Sequence, residues 1–393
     1  MNIILNITRK LDTLLTGRYS GRGIDRVLLA YVRHYRERAR VFIKYQGLNC
    51  LYSQKASTVL FDYLLEAIDN IHHTQYTKII HTLLFQQNHQ NLDGSVYLNL
   101  TQAIHDHGRF KQLNIPIVNM IHDLIPLRFP EYCGGEEVKK HARFLNHCLM
   151  DASGIITNSK STLNDLYACR KNIDGACPPT LVAPLASGLA NNILPLERPI
   201  HNPYFVMLSS IDRRKNYLLI LQIWRRLVEH LGHQTPKLVL IGRRGSRYDH
   251  AFDFIDHCET IKPYIIEVSD CADQQLVTYL HHTQALLFPT FAEGYGLPLI
   301  EAMTHNTPVI ASNLPVFYEI AGDVPEYLDP LDAMKWMEII EAYCSSSSVL
   351  RHNQLDRLRT FQPPTWENHF EKVDAFLQKV IESTQKYSPS ETV

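Results

Sequence analysis

The most informative segment of the sequence is FPTFAEGYGLPLIEAM, which occupies residues 288–303. A buried strand is predicted to end at Phe288, and the loop after it contains Gly294 and Gly296, which let the backbone approach a ligand closely. Pro298 is suited to the first turn of a helix. The exposed N–H groups at the start of that helix favour an anion such as a diphosphate. The sequence therefore predicts an anion site here, and the alternative is an ordinary strand–turn–helix.

Two carboxylates accompany this predicted site. Glu293 lies in the loop, and Glu301 lies eight positions later, in the opening turns of the helix. Carboxylates accept hydrogen bonds from hydroxyl groups, whereas they repel phosphate groups of like charge. The pair is therefore better suited to the hydroxyls of a sugar than to the phosphates.

Short apolar or β-branched runs recur along the chain, and each is followed by a turn signal and a segment of helical periodicity. The predicted strands are Ile3–Ile7, Arg40–Tyr45, Val96–Leu100, Ile115–Ile121, Gly154–Thr157 and Thr180–Pro184, followed by Tyr204–Leu208, Lys237–Ile241, Tyr264–Val268, Ala285–Phe288 and Pro308–Ala311. Strands that are apolar on both faces and alternate with helices are typical of parallel sheets with right-handed crossovers. Two such sets predict an α/β fold with two doubly wound domains.

Breaks in the apolar pattern predict the domain boundaries. The first domain covers residues 1–187, and a linker at 188–203 contains three prolines but few periodic apolar positions. The second domain covers 204–362. After a break at Pro363-Pro364, residues 363–393 are predicted to form an amphipathic helix, a candidate to cross back to the first domain.

Composition restricts the class of protein. With 393 residues, 45% of them hydrophobic, and a formal net charge of −1, the chain is neither disordered nor uniformly basic. Its eight cysteines form no C-x-x-C pair, which indicates buried thiols in a reducing compartment. We find no signal peptide and no apolar stretch long enough to span a membrane. The expectation is a cytoplasmic protein, at most peripheral at the inner face of the cell membrane.

The amino-terminal region is strongly basic, although the net charge of the whole chain is close to zero. Residues 9–44 contain ten Lys/Arg and three acidic residues, and apolar side chains at helical spacing predict an amphipathic helix. Arg22, Arg26, Arg33 and Arg36 form a candidate patch for anionic headgroups or for the diphosphate of a lipid-linked acceptor. The alternative is that the apolar stripe packs on the sheet and the arginines are solvated.

A basic turn follows the first strand of the second domain. Arg214 and Lys215 lie just beyond the carboxyl end of this strand, where open α/β sheets bind ligands. Their charges suit a nucleoside diphosphate, and the alternative is a solvated basic turn.

Several segments form an ordered series along the chain. They are GRGIDR (21–26), IHDLIP (121–126), TNSKST (157–162), SSIDRRKN (209–216), LIGRRG (240–245) and the strand and loop at 307–323. With the E-x7-E spacing of Glu293 and Glu301, this series resembles the retaining GT-B glycosyltransferases of family 4, or glycosyltransferase group 1. The resemblance covers most of the chain up to about Pro330. It implies two Rossmann-like domains facing each other across a cleft, with the acceptor on the first and the nucleotide sugar on the second.

The resemblance also implies roles for individual residues. His122 and Glu293 are implied to be catalytic, and Glu301 to bind the ribose of the nucleotide. The residues implied to bind the donor diphosphate are Arg214, Lys215, Gly294, Tyr295, Gly296, Leu297 and Gly23. Many relatives carry an arginine near residues 209–210, which this chain lacks. The choice between Arg213 and Arg214 therefore stays open.

The implied function is transfer of a hexose, with mannose as the candidate, from a UDP-, GDP- or ADP-linked donor to a hydroxyl of a growing surface glycan, with retention at the anomeric carbon. Lipopolysaccharide, capsule or exopolysaccharide assembly is the implied context, and no cofactor is expected. The alternatives are a nucleotide-sugar 2-epimerase or a glycan phosphorylase of the same fold, and a non-catalytic module that binds sugar nucleotides or a membrane.

Other chemistry has less support in the sequence. The glycine loop lacks the third glycine of an NAD fingerprint, because Arg26 occupies that position. There is no Asp-x-Asp for a divalent ion, so no metal is expected. The histidine clusters are interpreted as surface residues: His72-His73, His105-Asp106-His107 and His281-His282. Nucleic acid is not an expected partner, since no aromatic residues are interleaved with the basic ones.

Overall fold

The computed structural model describes residues 1–15, 23–45, 48–66, 92, 94–102, 107–171, 176–245, 249–345 and 347–386. The chain divides into two compact units. The first unit comprises Met1–Gly188 together with Thr365–Val393, and the second comprises Leu189–Pro364. Each unit is built on one sheet.

The described residues of the first unit form a seven-stranded sheet. Its strands are β1 (Asn2–Asn6), β2 (Ala39–Tyr45), β3 (Leu48–Leu51), β4 (Ser95–Asn99), β5 (Ile117–Ile121), β6 (Gly154–Thr157) and β7 (Thr180–Val182), in the spatial order β3-β2-β1-β4-β5-β6-β7. All neighbours are parallel except β2 and β3. Strands β4, β5 and β6 are buried along their whole length, as expected of a parallel sheet covered on both faces.

Helices connect these strands. They are α1 (Thr8–Leu15), α2 (Gly23–Tyr35), α3 (Gln54–Glu66), α4 (His107–Gln112), α5 (Ile125–Arg128), α6 (Gly135–Asp151) and α7 (Lys160–Arg170). The start of α7 shows how the local sequence sets a boundary. The Ser159 side chain accepts a hydrogen bond from the Thr162 N–H at 2.9 Å and so satisfies one of the unpaired amides of the first turn.

The second unit has a six-stranded, fully parallel sheet. Its strands are β8 (Tyr204–Leu208), β9 (Lys237–Ile241), β10 (Ile265–Val268), β11 (Leu286–Phe288), β12 (Val309–Ser312) and β13 (Glu326–Leu328), in the order β10-β9-β8-β11-β12-β13. Its helices are α8 (Tyr217–Leu231), α9 (Asp249–His257), α10 (Asp273–His282), α11 (Leu297–Thr304), α12 (Pro315–Ala321), α13 (Ala333–Cys344) and α14 (Val349–Arg359). Trp224 and Trp336 are fully buried in its core, and each indole N–H donates to a backbone carbonyl at 2.9 Å.

Two doubly wound α/β units are therefore confirmed, and the predicted strands are all present with ends shifted by at most two residues. Two strands were not predicted, β3 and β13, and β3 is antiparallel. Both are short, and their sequences, LNCL and EYL, contain polar residues, so neither gives an apolar run. Residues 189–203, predicted as a linker, belong to the second unit, where the Leu196 N–H donates to Thr278 Oγ1 at 3.0 Å.

The last helix, α15 (Trp366–Lys386), packs within the first unit against α2. Phe370 stacks on His34 with ring centroids 3.9 Å apart. Asp374 accepts hydrogen bonds from the Tyr35 hydroxyl at 2.7 Å and from Arg38 at 2.8 Å. This helix is therefore held by an aromatic contact and by a charged network at the same end of α2.

A buried histidine on α15 predicts acid sensitivity. His369 is 1% exposed, its Nδ1–H donates to the Pro184 carbonyl at 3.0 Å, and its Nε2 accepts from the Tyr31 hydroxyl at 2.8 Å. Burial lowers the pKa of His369 to about 4. The unfolded chain, with a histidine pKa of about 6.5, takes up this proton first, so stability falls as pH drops from there towards 4.

We expect this one residue to cost the first unit about 3 kcal/mol of unfolding free energy between pH 7 and pH 4. Urea unfolding of the wild type and of His369→Gln across this range measures it. The variant starts less stable at pH 7 but should lose less on acidification. Parallel pH profiles for the two proteins would contradict the assignment.

Candidate active site

The sheet of the second unit reverses its direction of winding between β8 and β11. In open α/β sheets, ligands bind outside the carboxyl ends of the strands at such a switch point. The segment Ser209–Lys215 follows β8, and the segment Pro289–Gly296 follows β11. The two stretches singled out in the sequence therefore meet at the position where this fold binds ligands.

The local sequence holds the basic turn in place. Asp212 Oδ1 accepts a hydrogen bond from the Arg214 N–H at 3.3 Å and begins a short 3-10 turn at Arg213–Lys215. Asn216 ends this turn in the left-handed conformation, with φ of 57°, which asparagine tolerates better than most residues. Its side chain donates to the Pro330 carbonyl at 2.9 Å. The turn is thus fixed at both ends.

Three charged side chains meet between the two loops. Arg214 Nη1 lies 2.9 Å from Glu293 Oε1, and Lys215 Nζ contacts the same carboxylate oxygen. Arg214 also donates to the Ala292 carbonyl at 2.5 Å, and its own carbonyl accepts from the Phe291 N–H at 2.9 Å. Lys215 and Glu293 side chains are only 9% and 10% exposed. Side-chain and backbone bonds together clamp one loop onto the other.

Burial and charge shift the pKa values of this cluster. Burial, aided by the neighbouring Arg214 charge, lowers the pKa of Lys215 to about 8, although Glu293 opposes the shift. Burial alone raises the pKa of Glu293, but the charges of Arg214 and Lys215 outweigh it and the net pKa is lowered. At neutral pH the cluster therefore holds two cations and one anion, with one net positive charge.

The loop after β11 leads into α11. Gly296 adopts φ of 121°, a conformation that other residues rarely take, and it directly precedes Leu297, the first residue of the helix. Tyr295 and Glu301 are both buried, at 4% exposure each. The backbone of Gly294–Leu297 thus lies at a helix start next to Glu293, where its amides can face an anion.

In the first unit, His122 follows β5 directly and is buried. Its Nε2 lies 2.9 Å from the Leu100 carbonyl, which can only accept, so Nε2 carries the hydrogen and Nδ1 carries a lone pair. Burial lowers the pKa of His122, partly offset by that carbonyl, so the ring is neutral. Asn158 Nδ2 donates to the His122 carbonyl at 2.9 Å. The ring can therefore accept a hydrogen bond at Nδ1.

Gly23, the other predicted site residue of this unit, is the first residue of α2. Two positions on, Asp25 forms an ion pair with Lys10 of α1 at 3.8 Å, and neither side chain is more than 3% exposed. Burial lowers the pKa of Lys10. This buried pair was not predicted, because its only signal in the sequence is a lysine within a short amphipathic helix.

The arginines of the predicted basic patch are not all exposed to solvent. Arg36 pairs with Asp62 of α3 at 2.6 Å, and Arg26 packs so closely on Gly188 that a Cβ there would lie 2.4 Å from Arg26 Cδ. Arg33 is exposed, and Arg22 lies outside the described residues. Contact with an anionic membrane stays a prediction. No helix among the described residues combines the length and apolar character needed to cross a bilayer.

Of the residues predicted for the site, the structure brings Arg214, Lys215 and Glu293 together. Arg213 is exposed, whereas Arg214 points into the cluster. One surface interpretation was wrong: His107 is only 2% exposed, because it opens α4 and bonds to buried Asn119. His105, Asp106 and the pair at 72–73 lie outside the described residues.

Solved structures share this architecture, which is the GT-B fold. Anabaena HepE, in a crystal structure with UDP, aligns with a TM-score of 0.63 over 96% of this chain and 100% of that one, at 16% identity. The alpha,alpha-trehalose 6-phosphate synthase of Burkholderia multivorans aligns with a TM-score of 0.62 over 100% and 99% of the chains, at 11% identity. At these identities the likeness shows the fold alone.

Part of the sequence matches a family model and several curated proteins. Residues 195–351 match the family model described as Glycosyl transferases group 1. The serotype-specific mannosyltransferase WbdA of Escherichia coli is 27% identical over 238 residues, covering 56% of this chain and 29% of that protein. O-antigen chain mannosyltransferase B of Escherichia coli is 25% identical over 222 residues, 55% of this chain and 58% of that protein. The chain thus spans less than a third of WbdA and somewhat over half of O-antigen chain mannosyltransferase B.

Proposed function

We propose that this chain is a retaining glycosyltransferase that moves a hexose, with mannose as the candidate, from a nucleoside diphosphate sugar to a hydroxyl of a surface glycan. The observation that carries the proposal is the cluster of Arg214, Lys215 and Glu293 at the switch point of the second unit. The family match over residues 195–351 supports the activity, and the mannosyltransferase relatives support the sugar and a glycan acceptor such as lipopolysaccharide, capsule or exopolysaccharide.

The cations and the helix start would act on the donor diphosphate. As the sugar leaves, negative charge grows on the diphosphate, and donors that are already in position stabilise it without reorganisation. Arg214, Lys215 and the amides of Gly294–Leu297 supply these donors, and Gly23 contributes a helix-start amide in the first unit. We propose that this fixed positive charge takes the place of a metal ion.

Glu293 and Glu301 divide the remaining work. Both ion pairs of Glu293 use Oε1, so we assign Oε2 to the hydroxyls of the donor sugar. Glu301, on the second turn of α11, is assigned to the ribose hydroxyls of the nucleotide. A carboxylate on a sugar hydroxyl is a charge-assisted hydrogen bond, about twice as strong as a neutral one.

His122 is assigned to a hydroxyl of the transferred sugar. Because its Nε2–H is used by Leu100 and its pKa is lowered, the ring offers an acceptor at Nδ1 rather than a positive charge. This role orients the sugar. In a retaining reaction the acceptor hydroxyl attacks from the face that the diphosphate leaves.

The activity is tested by incubating the protein with UDP-, GDP- and ADP-linked hexoses and a glycan acceptor, and by reading the anomeric configuration of the product by NMR. An α-linked product from an α-linked donor supports the proposal. Tight nucleotide binding without transfer to any acceptor would instead favour a binding module, and an inverted product would overturn retention.

Lys215→Met is expected to weaken binding of the cognate nucleoside diphosphate by about ten- to a hundredfold, because a buried charged donor is lost. Thermal-shift screening of UDP, GDP and ADP identifies the nucleotide, and calorimetry then gives its affinity. Arg213→Gln, the neighbouring exposed residue, is the matched control and should bind normally. Equal affinity of Lys215→Met and wild type would contradict the diphosphate role.

The same residue gives the binding a pH dependence. With a pKa of about 8, Lys215 loses its charge as pH rises through that value. Affinity for the diphosphate should therefore fall above about pH 8 in the wild type, and the Lys215→Met variant should lack this step.

A further inference from the structure

We propose that His107, His147 and Asp151 form a metal site in the first unit that binds Zn²⁺. His107 is the first residue of α4, and His147 and Asp151 lie one turn apart on α6. One ligand atom from each residue lies within 4.8 Å of the other two. None of the three takes part in the proposed transfer reaction, so this site stands apart from that proposal.

The hydrogen bonds around His107 determine which of its nitrogens faces the ion. The Thr101 N–H donates to Asn99 Oδ1 at 3.2 Å, which fixes the orientation of that amide. Asn99 Nδ2 therefore donates, and it lies 2.9 Å from Asn119 Oδ1. The same oxygen lies 3.2 Å from His107 Nε2. Because an amide oxygen only accepts, Nε2 carries the hydrogen and Nδ1 carries the lone pair.

This arrangement is the one that metal-binding histidines use. Their second nitrogen donates to a carbonyl or carboxylate oxygen, which fixes the tautomer and the plane of the ring. Asn119 supplies that oxygen from within β5, where it is fully buried. The His107 ring is thus held in a fixed plane, with the lone pair on Nδ1.

His147 and Asp151 supply the other two ligands. His147 Nδ1 lies 2.9 Å from Asp151 Oδ2, and Lys111 Nζ lies 3.0 Å from the other carboxylate oxygen, Oδ1. When the ion binds, it takes the place of the hydrogen between Nδ1 and Oδ2, and His147 carries its proton on Nε2. Lys111 stays on Oδ1 or, since its side chain is 64% exposed, turns into solvent.

The donor set selects the class of ion. Two imidazoles and one carboxylate suit Zn²⁺, whereas Mg²⁺ and Ca²⁺ prefer oxygen ligands alone. Tetrahedral Zn²⁺ with bonds of about 2.0–2.1 Å places its ligand atoms roughly 3.3 Å apart. His147 and Asp151, at 44% and 22% exposure, can turn by the small amount needed to close the site, and water completes it. The bound ion would pin α4 to α6.

The full-length protein, stripped with a chelator and then dialysed, is titrated with Zn²⁺ by calorimetry. We expect one saturable site, and a rise in melting temperature of roughly 5–10 °C when Zn²⁺ is at a hundred times its dissociation constant. Co²⁺ in the same site should give the d–d absorption of a low-coordinate ion. His147→Asn and Asp151→Asn should each weaken the site at least tenfold.

His141→Asn, a half-exposed histidine two turns away on α6, is the matched control and should keep the site. The chain contains twenty histidines and eight cysteines, which can bind zinc elsewhere. The test therefore compares the zinc affinity of the variants with that of the control and does not use the total zinc bound. Both test residues are partly exposed, and circular dichroism checks that their variants fold. No saturable site in the wild type, or equal affinity in His147→Asn, Asp151→Asn and the control, would overturn the proposal.

Discussion

Glu293→Gln is expected to lower the rate of glycosyl transfer by about a hundred- to a thousandfold while leaving affinity for the nucleoside diphosphate equal or higher. Glutamine keeps the shape of the side chain but removes the charge that meets the sugar hydroxyls in the proposed reaction. It also removes the anion that holds Arg214 and Lys215. The two cations then meet the diphosphate without a competing carboxylate.

Steady-state kinetics give the rate of glycosyl transfer, and calorimetry with the cognate nucleoside diphosphate gives its affinity. Glu338→Gln, at an exposed position on α13, is the control for loss of one carboxylate. Near-normal turnover by Glu293→Gln would contradict the assignment of Glu293 to the donor sugar. A parallel loss of transfer and of nucleotide affinity would show that the charge acts on binding rather than on the reacting sugar.

Alanine at position 293 is expected to disturb the structure as well as the reaction. A loop residue is expected from the sequence to tolerate truncation, but the Glu293 side chain is 10% exposed and separates two cations. Removing one partner of a buried ion pair costs about 3–5 kcal/mol, because the remaining charge is left uncompensated. Glutamine leaves the same two cations uncompensated, but it keeps the volume of the side chain and an oxygen that can accept from them. It therefore disturbs the loops less than alanine and is the better probe of function.

Gly242→Ala is expected to destabilise the second unit by about 3 kcal/mol or more. Gly242 directly follows β9 with φ of 145°, and a Cβ there would lie 2.0 Å from the Ser209 carbonyl oxygen. Backbone atoms cannot rotate away as a side chain can, so the end of β9 or of β8 must shift. Ser209 begins the segment that leads to Lys215, so nucleotide affinity should fall as well.

Gly232→Ala is the matched control for this variant. Gly232 also has a positive φ, of 53°, but nothing lies within 4 Å of its added Cβ. It should cost only the conformational penalty of φ 53° with ψ −126°, about 1–3 kcal/mol, without the overlap that Gly242→Ala adds. Urea unfolding compares the two variants. Equal costs would mean that the overlap with Ser209 relaxes freely.

The positions of the strands could be predicted because most of them are buried on both faces. Gly154–Thr157 and Tyr204–Leu208 have the same bounds in the structure as in the sequence analysis. Strands β3 and β13 could not be predicted in this way, although the other two edge strands, β7 and β10, were. The sequences of β3 and β13, LNCL and EYL, are short and contain polar residues, so they form no apolar run.

Only part of the candidate active site could be predicted from the sequence. Arg214–Lys215 and Glu293 were each recognisable by their place after a strand, but 78 residues separate Lys215 from Glu293. Their meeting depends on β8 and β11 being neighbours, which local periodicity does not encode. The ion pair of Arg36 with Asp62 and the burial of His107 depend on similar long-range packing.

The return of α15 to the first unit makes the second unit an insertion. Leu189–Pro364 is one continuous segment, whereas the first unit is assembled from two pieces on either side of it. During synthesis the inserted unit can complete its sheet before the other has its closing helix. An exchange of this segment between related chains, with junctions at 188/189 and 364/365, would transfer Arg214, Lys215, Glu293 and Glu301 together. Gly23, His122 and the packing of α15 on α2 would stay with the first unit.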